Sequence, residues 1–406
     1  MNIDQQVTYL MRGTEYGDPE THESMKKELR ERLLESELKG RPLRVYCGYD
    51  PRTSDLHIGH TVTMRKLRQF QELGHHVIFV IGTYTALIGD PSDKDKLRAQ
   101  LSQDESRRNA ESYAEQAFRI LDREKTEVRL NEEWLSKLTL KDMIHLASNF
   151  TIQQFMTRQN FRSRWDNDEA LYFHEFFYAL MQGYDAYALD ADVQVGGTDQ
   201  MFNIMTAARK IMAYYDKKPN IGIILGILPG TDGEVKMSKS LGNHIPLKTT
   251  PEDMFGKVMS IPDKAMPSYA RLVTRWTVEK INAFEAAMAD GQLHPRDAKM
   301  ELAQEITAAF FSEEQAEKAR KYFVNLFQKG DIPEDMPEYT SQDEVTLMDA
   351  LVNSGIVSSG SEVRRLVKQN GIKVNEEKVS DPFMLLEHGS IIQVGKRRFL
   401  RIVLEH

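Results

Sequence analysis

The chain has 406 residues, 41% hydrophobic and 28% charged, an ordinary globular balance that argues against dominant disorder and leaves room for roughly two to four domains. A single cysteine, Cys47, excludes an internal disulfide and any cysteine-based zinc cage. The net charge of −8 speaks against a protein that coats nucleic acid non-specifically.

The opening MNIDQQVTYL has no basic segment leading into an apolar run, so no secretory signal is expected. The best apolar stretches, Val77–Ile81 and Ile221–Leu228, fall far short of the ~20 residues of a membrane helix. A cytoplasmic protein without a membrane partner is expected.

Residues 22–38 read as a charged amphipathic helix. Leu43–Tyr49 reads as a first strand, followed by the turn-rich Asp-Pro-Arg-Thr-Ser-Asp. His57–Leu73 reads as a helix, with Ser54 or Asp55 as candidate caps. Val77–Ile81 reads as a second buried strand, and a loop through Gly89-Asp90-Pro91 follows. A helix near 104–122 and a short strand near 127–130 continue the alternation. Several helices occupy about 132–185. Asp192–Val195, a helix Asp199–Tyr214 and Ile221–Gly226 repeat the strand–helix–strand order. Apolar, β-branched strands alternating with helices predict an α/β fold with a parallel sheet covered on both faces. Ligands of such sheets sit at the carboxyl ends of the strands.

Beyond Lys248 the pattern is helical, at 251–260, 277–290, 294–310 and 313–327. An acidic stretch from Gly330 with two prolines reads as a linker. The end of the chain reads as a small mixed α/β unit with Ser361–Gln369 as a helix. The expected division is 1–247 with a helical insertion at about 130–180, then 248–328, a linker 329–342, and 343–406. From Ser361 to Arg401 nine basic residues face five acidic ones. This local +4, against −8 for the whole chain, leaves −12 on the rest and points to one local polyanion contact.

Four constellations carry chemistry. His57-Ile58-Gly59-His60 opens a helix, and a helix N-terminus attracts phosphate through its free N–H groups. Gly59 leaves room for a flat ring against the backbone. Lys236-Met237-Ser238-Lys239-Ser240 lies in a glycine-flanked loop, from which two lysines can swing onto a polyphosphate. Tyr178, Gln182 and Asp185 share one face of an otherwise apolar helix. A carboxylate there needs a partner, either a phenol hydroxyl or a neighbour such as Tyr187, Tyr172 or an arginine. Arg364, Arg365 and Lys368 lie on a C-terminal helix ahead of Lys373, either as a solvated charged face or as a grip on phosphates.

In this order, on either side of a β/α domain, the first two motifs match letter for letter the class I aminoacyl-tRNA synthetase signatures usually written HIGH and KMSKS. The chain resembles that class. Tyr46-Cys-Gly-Tyr-Asp50-Pro, the Tyr178/Gln182/Asp185 spacing and Val195-Gly-Gly-Thr-Asp199-Gln200 resemble the tyrosyl-tRNA synthetase family. The run from His174 to Asn243 resembles its bacterial subgroup with an intact KMSKS loop. The resemblance implies a Rossmann-like catalytic domain with a helical dimerisation insertion, a helical anticodon-binding domain and a small α/β RNA-binding domain. It implies that Tyr46 and Asp185 bind the substrate hydroxyl, and that Asp90, Tyr178 and Gln182 bind its α-amino group. It implies that Gly197, Asp199 and Gln200 line the nucleotide and ribose, with Gln200 also at the tyrosine. Asp50, His57, Gly59, His60, Thr63, Lys236, Ser238 and Lys239 would meet ATP, with His57, His60, Lys236 and Lys239 as the catalytic residues. Arg364, Arg365, Lys368 and Lys373 would meet RNA, through a small fold shared with a ribosomal protein. Position 52 is arginine where the family often has a small hydroxyl residue, which leaves its role open. The partners implied are L-tyrosine, the cognate tRNA, ATP as substrate with Mg²⁺ on its phosphates, and a second copy of the chain, with no protein-bound metal. The alternatives are a tryptophanyl-tRNA synthetase, or an RNA-binding relative without catalysis, against which the intact histidines and lysines argue.

Overall fold

The computed structural model describes residues 1–51, 55–91, 103–326, 336–395 and 398–404, and says nothing of the side chains of 103–107. Arg52, the candidate cap Ser54 and much of the expected linker lie outside the described residues. By their contacts the residues group into one unit of 1–249 with 257–310, and another of 250–256 with 311–406.

In the first unit, β1 (Arg44–Tyr49), β2 (His76–Ile81), β3 (Thr126–Leu130), β4 (Val193–Gly197) and β5 (Ile221–Leu225) form one parallel sheet, ordered β3-β2-β1-β4-β5. Every residue of β5 is buried, as is every residue of β2 after His76. Such unbroken apolar runs belong to strands covered on both faces, as the sequence predicts. The chain builds outward from β1 to β3, then returns to place β4 on the other side of β1. That reversal opens a crevice at the carboxyl ends of β1 and β4, where such folds bind ligands.

The helix after β1 is Ile58–Glu72, and its N-cap is His57, not Ser54 or Asp55. A pairing distant in sequence decides this. The Ile58 N–H donates to Ile245 O at 2.9 Å, and the Leu247 N–H to Leu56 O at 2.9 Å. The chain is thus held extended up to His57. The helix expected at 104–122 ends at Ala117. The helix expected at Asp199–Tyr214 is a 3₁₀ turn (Thr198–Gln200), a wide π-helical stretch (Phe202–Ala208) and an α-helix (Arg209–Tyr214). Three α-helices escape the sequence reading, Ile3–Met11, Met266–Val273 and Leu347–Asn353.

Between β3 and β4 the alternation breaks into helices, the last being His174–Ala188. The aromatic residues of this insertion divide sharply. Phe155 and Phe161 are buried in the chain's own core, with Phe150 and Met156 packed against them. Trp165 is 64% exposed and Phe173 74%, and Tyr172, Leu140, Ile144 and Ile152 are exposed as well.

In the second unit, β6 (Glu338–Ser341), β7 (Ile372–Val374), β8 (Glu377–Lys378), β9 (Ile391–Val394) and β10 (Arg398–Leu404) form a mixed sheet ordered β6-β10-β9-β7-β8. Helices Leu347–Asn353 and Gly360–Lys368 pack on it through Leu347, Leu351, Val363 and Val367. Among the described residues, no helix is long and apolar enough to cross a membrane.

Candidate active site

The segments leaving all five strands of this sheet and one helix supply the site. At its buried end stands Asp185, 3% exposed, on helix His174–Ala188. Trp134 Nε1 donates to its Oδ1 at 2.7 Å, and Asn131 Nδ2 to its Oδ2 at 3.4 Å. The candidate partners Tyr187, Tyr172 and an arginine give way to an indole and an amide. Burial pushes the Asp185 carboxyl up to about 8, further raised by Asp50 and opposed by the two donors. Tyr46 on β1 is buried, its hydroxyl 3.5 Å from Gln182 O. Burial, then the nearby Asp185, raises its phenol well above the ordinary value.

Asp50, at the end of β1, accepts from the Tyr178 hydroxyl at 3.0 Å and from Thr85 Oγ1 at 2.7 Å. Gly82 makes room for it, since a Cβ there would stand 2.0 Å from Asp50 Oδ1. Gln200 Nε2 donates to Asp90 Oδ2 at 2.6 Å. Asn203, 1% exposed and opening the π-helical stretch, donates from Nδ2 to both Gln182 Oε1 (2.8 Å) and Gln200 Oε1 (3.0 Å). Asp90, Gln200, Asn203 and Gln182 thus form one chain of hydrogen bonds.

At the open end, the His57 and His60 rings lie 3.8 Å apart, and the His57 N–H donates to His60 Nδ1 at 3.2 Å. The flat ring against Gly59 is that of His57 itself, whose Nδ1 would be 2.9 Å from a Cβ added there. Burial, then His60, His244 and the two lysines, pulls His57 down to about 2, so the ring is neutral. Lys236 Nζ reaches Asp199 Oδ2 at 2.8 Å, and Lys239 Nζ reaches Asp55 Oδ2 at 3.5 Å. Thr63 is turned to the Tyr49 hydroxyl at 2.8 Å. Asn243 organises the lysine loop by accepting from the Ser238 N–H at 2.8 Å and donating to Asp232. Ser238 Oγ lies 2.8 Å from Ser240 Oγ.

The two ends meet at consecutive residues. After Gly197 closes β4, Asp199 holds a lysine of the open end and Gln200 joins the buried end. Arg364, Arg365, Lys368 and Lys373 belong to the second unit. The first three are exposed on helix Gly360–Lys368, with the Arg364 guanidinium over the exposed Phe383 ring at 5.8 Å. Lys373 lies on β7 opposite Lys378.

Sequence reasoning missed Asn131, Trp134, Thr85, Asn203 and the work of Asn243. Asn131 follows directly on β3, so the rule that ligands sit at carboxyl strand ends flags it once that strand is placed.

The strand reversal at β1, the paired histidines at the helix start and the lysine loop after β5 define the catalytic domain of a class I aminoacyl-tRNA synthetase. The family model described as "tRNA synthetases class I (W and Y)" matches residues 38–328, and the chain belongs to that family. A second model, "Tyrosine--tRNA ligase SYY-like C-terminal domain", matches residues 328–400. Within the class, the chain belongs with the tyrosine–tRNA ligases, which join L-tyrosine to its tRNA in an ATP-dependent reaction. The tyrosine–tRNA ligase of Moorella thermoacetica is 45% identical, over 98% of this chain and 96% of the relative. That of Carboxydothermus hydrogenoformans is 46% identical, over 93% and 94%. The fold resembles a C-terminally truncated Aspergillus nidulans mitochondrial tyrosyl-tRNA synthetase, with a TM-score of 0.63 and 21% identity, over 80% of this chain and 94% of that one. It also resembles the Archaeoglobus fulgidus tyrosyl-tRNA synthetase solved with L-tyrosine, with a TM-score of 0.60 and 23% identity, over 79% and 100%.

Proposed function

We propose that the two ends of the site divide the first half-reaction. Tyrosine enters the buried end with its hydroxyl toward Tyr46 and Asp185 and its ammonium toward Asp90, Tyr178, Gln182 and Gln200. ATP enters the open end as its Mg²⁺ complex, the metal riding on the phosphates. The nucleotide lies along Gly197 and Asp199, with Asp50 at the join and the triphosphate toward His57, Gly59, His60, Lys236, Ser238 and Lys239. The tyrosine carboxylate attacks the α-phosphorus. The bond to the β-phosphate breaks, and pyrophosphate leaves as tyrosyl-adenylate forms. No side chain acts as nucleophile, so catalysis is positioning plus stabilisation of charge on the transferring group. A hydroxyl of the terminal tRNA ribose then attacks the adenylate carbonyl, and AMP leaves.

The observation that carries this reading is the adjacency of Asp199 and Gln200, which ties the lysine loop to the buried polar chain across one peptide bond. Pyrophosphate exchange with ATP tests it. Exchange should require tyrosine, fail with tryptophan and collapse in Lys236→Ala. Exchange supported equally by tryptophan would overturn it.

The second unit binds tRNA through Arg364, Arg365, Lys368 and Lys373. Its exposed basic helix in an acidic chain supports this. The insertion forms a homodimer through Leu140, Ile144, Ile152, Trp165, Tyr172 and Phe173, a run of exposed apolar side chains of the kind that marks an interface.

A further inference from the structure

Two large apolar side chains of the second unit stand exposed among the described residues, Phe383 at 54% and Leu385 at 56%. They lie on a segment, 382–386, whose backbone is held in place. The Met348 N–H donates to Pro382 O, the Leu347 N–H to Met384 O and the Leu386 N–H to Val345 O, each at 3.0 Å. The Phe383 N–H donates to Asp381 Oδ1 at 2.9 Å. Along an extended chain, successive side chains point to opposite sides. Leu386 is buried in the core of this unit and Met384 packs against it, which turns Phe383 and Leu385 outward. Neither belongs to that core, so packing accounts for neither.

The surroundings of the ring are cationic. The Arg364 guanidinium lies over Phe383 at 5.8 Å, near the outer limit of about 6 Å for a cation–π contact. Arg365 pairs with Glu362 at 3.7 Å, whereas Arg364 is in no ion pair among the described residues. Lys368 follows one turn along the same helix and is exposed. An open aromatic ring thus stands beside cations, within the +4 stretch from Ser361 to Arg401 of an acidic chain. Two side chains are too few for a protein partner, since a stable interface takes about 800 Å² from each side. One ring matches one base. Single-stranded RNA is bound by splaying its bases onto aromatic rings while basic side chains hold the phosphates.

We propose that Phe383 is a stacking platform for an unpaired base of the tRNA, with Arg364 turning from the ring to the phosphate beside that base. This rests on the reading that the second unit binds tRNA, and adds to it a contact that carries no charge. Leu385 lies on the same side of the segment and widens the apolar surface under the base. A stacked base releases no counterion, so its share of the affinity is independent of salt, whereas the share of Arg364 falls as salt rises. Stacking tolerates any base, so the platform adds affinity more than selectivity.

The test uses the full chain and a transcript of its tRNA, with Kd measured across a potassium chloride series. Phe383→Leu should weaken binding by about tenfold at every salt concentration and leave the slope of log Kd against log salt unchanged. Phe383→Tyr should keep the parent affinity. Arg364→Gln should weaken binding and flatten the slope by about one. The emission of Phe383→Trp, measured against the parent, should be quenched by tRNA. Because Phe383 is exposed, Phe383→Leu should melt within about 2 °C of the parent; should it not fold, the quenching decides. Parent-like affinity in Phe383→Leu, or no quenching in Phe383→Trp, would overturn the stacking. A weakened Arg364→Gln in that same experiment would leave the RNA reading of the unit standing alone, and a parent-like Arg364→Gln would take that reading down as well.

Discussion

The two ends of the active site are built on opposite physical terms. At the buried end, Asp185 and Asn203 are almost wholly buried and bonded to fixed partners. At the open end, Lys236 and Lys239 sit half-exposed on a loop, each paired with a carboxylate. A surface ion pair contributes about 0–1 kcal/mol, so either lysine can leave its carboxylate at little cost. Breaking the bonds to buried Asp185 is far more expensive. The difference teaches where selectivity and where motion reside. On the function proposed above, the closed end is made before substrate arrives and the open end is completed by the substrate itself.

Variants at the open end should show the largest losses. Lys236→Ala or Lys239→Ala should slow adenylate formation by about 10²–10³, the scale of removing a group that stabilises transition-state charge. Tyrosine affinity should stay within about twofold. Single-turnover kinetics with a separate tyrosine titration separates the two quantities. A variant with unchanged rate and weakened tyrosine binding would erase the contrast.

Truncation after residue 326, which removes the mixed sheet and basic helix of the second unit, asks whether they serve either end. Pyrophosphate exchange should persist, while tRNA charging should drop by about a hundredfold and lose much of its salt dependence. Undiminished charging across a salt series would reduce the basic helix to a solvated surface.

At the closed end, Asp185→Ala should lower kcat/KM for tyrosine by about 10–100-fold and for phenylalanine by much less, because only tyrosine brings a hydroxyl to the site. Equal losses would remove Asp185 from hydroxyl recognition. A pH dependence accompanies it. The native carboxyl titrates near 8, above the ordinary 3.8, so the folded chain keeps a proton that the unfolded chain releases. The stability this contributes is complete below pH 4 and lost as the pH rises through 8. Asp185→Asn should therefore gain stability relative to the parent between pH 5 and 8.5, read from urea midpoints.

The smallest effect on chemistry should come from the insertion. Trp165→Glu with Ile144→Glu should shift the mass seen by light scattering from about twice the 46.7 kDa chain to one copy. A parent protein already at the mass of one chain would remove the dimer.

Most residues that gather at the open end were legible in the sequence, because they lie in two short contiguous motifs, while the part Asn243 plays in the lysine loop was not. The strands were legible for a related reason, since β2 and β5 are unbroken apolar runs. The closed end was legible only on the face of one helix. Tyr178, Gln182 and Asp185 follow helical spacing, but Trp134 and Asn131 lie about fifty residues earlier and join Asp185 only through the fold. The π-helical stretch was hidden for the same reason. Gly183 lets its helix pack directly on Ala207, a contact with no local signature. The true N-cap, His57, is set by pairing with Ile245–Leu247, far along the chain.

The most direct measurement is a crystal structure with tyrosine and a non-hydrolysable ATP analogue bound together. Lys236 Nζ should leave Asp199 Oδ2, now at 2.8 Å, for the triphosphate, while Trp134 stays bonded to Asp185 at 2.7 Å. A complex in which the Lys236–Asp199 pair survives and the Trp134–Asp185 bond has opened would contradict the division between an exchangeable end and a fixed one.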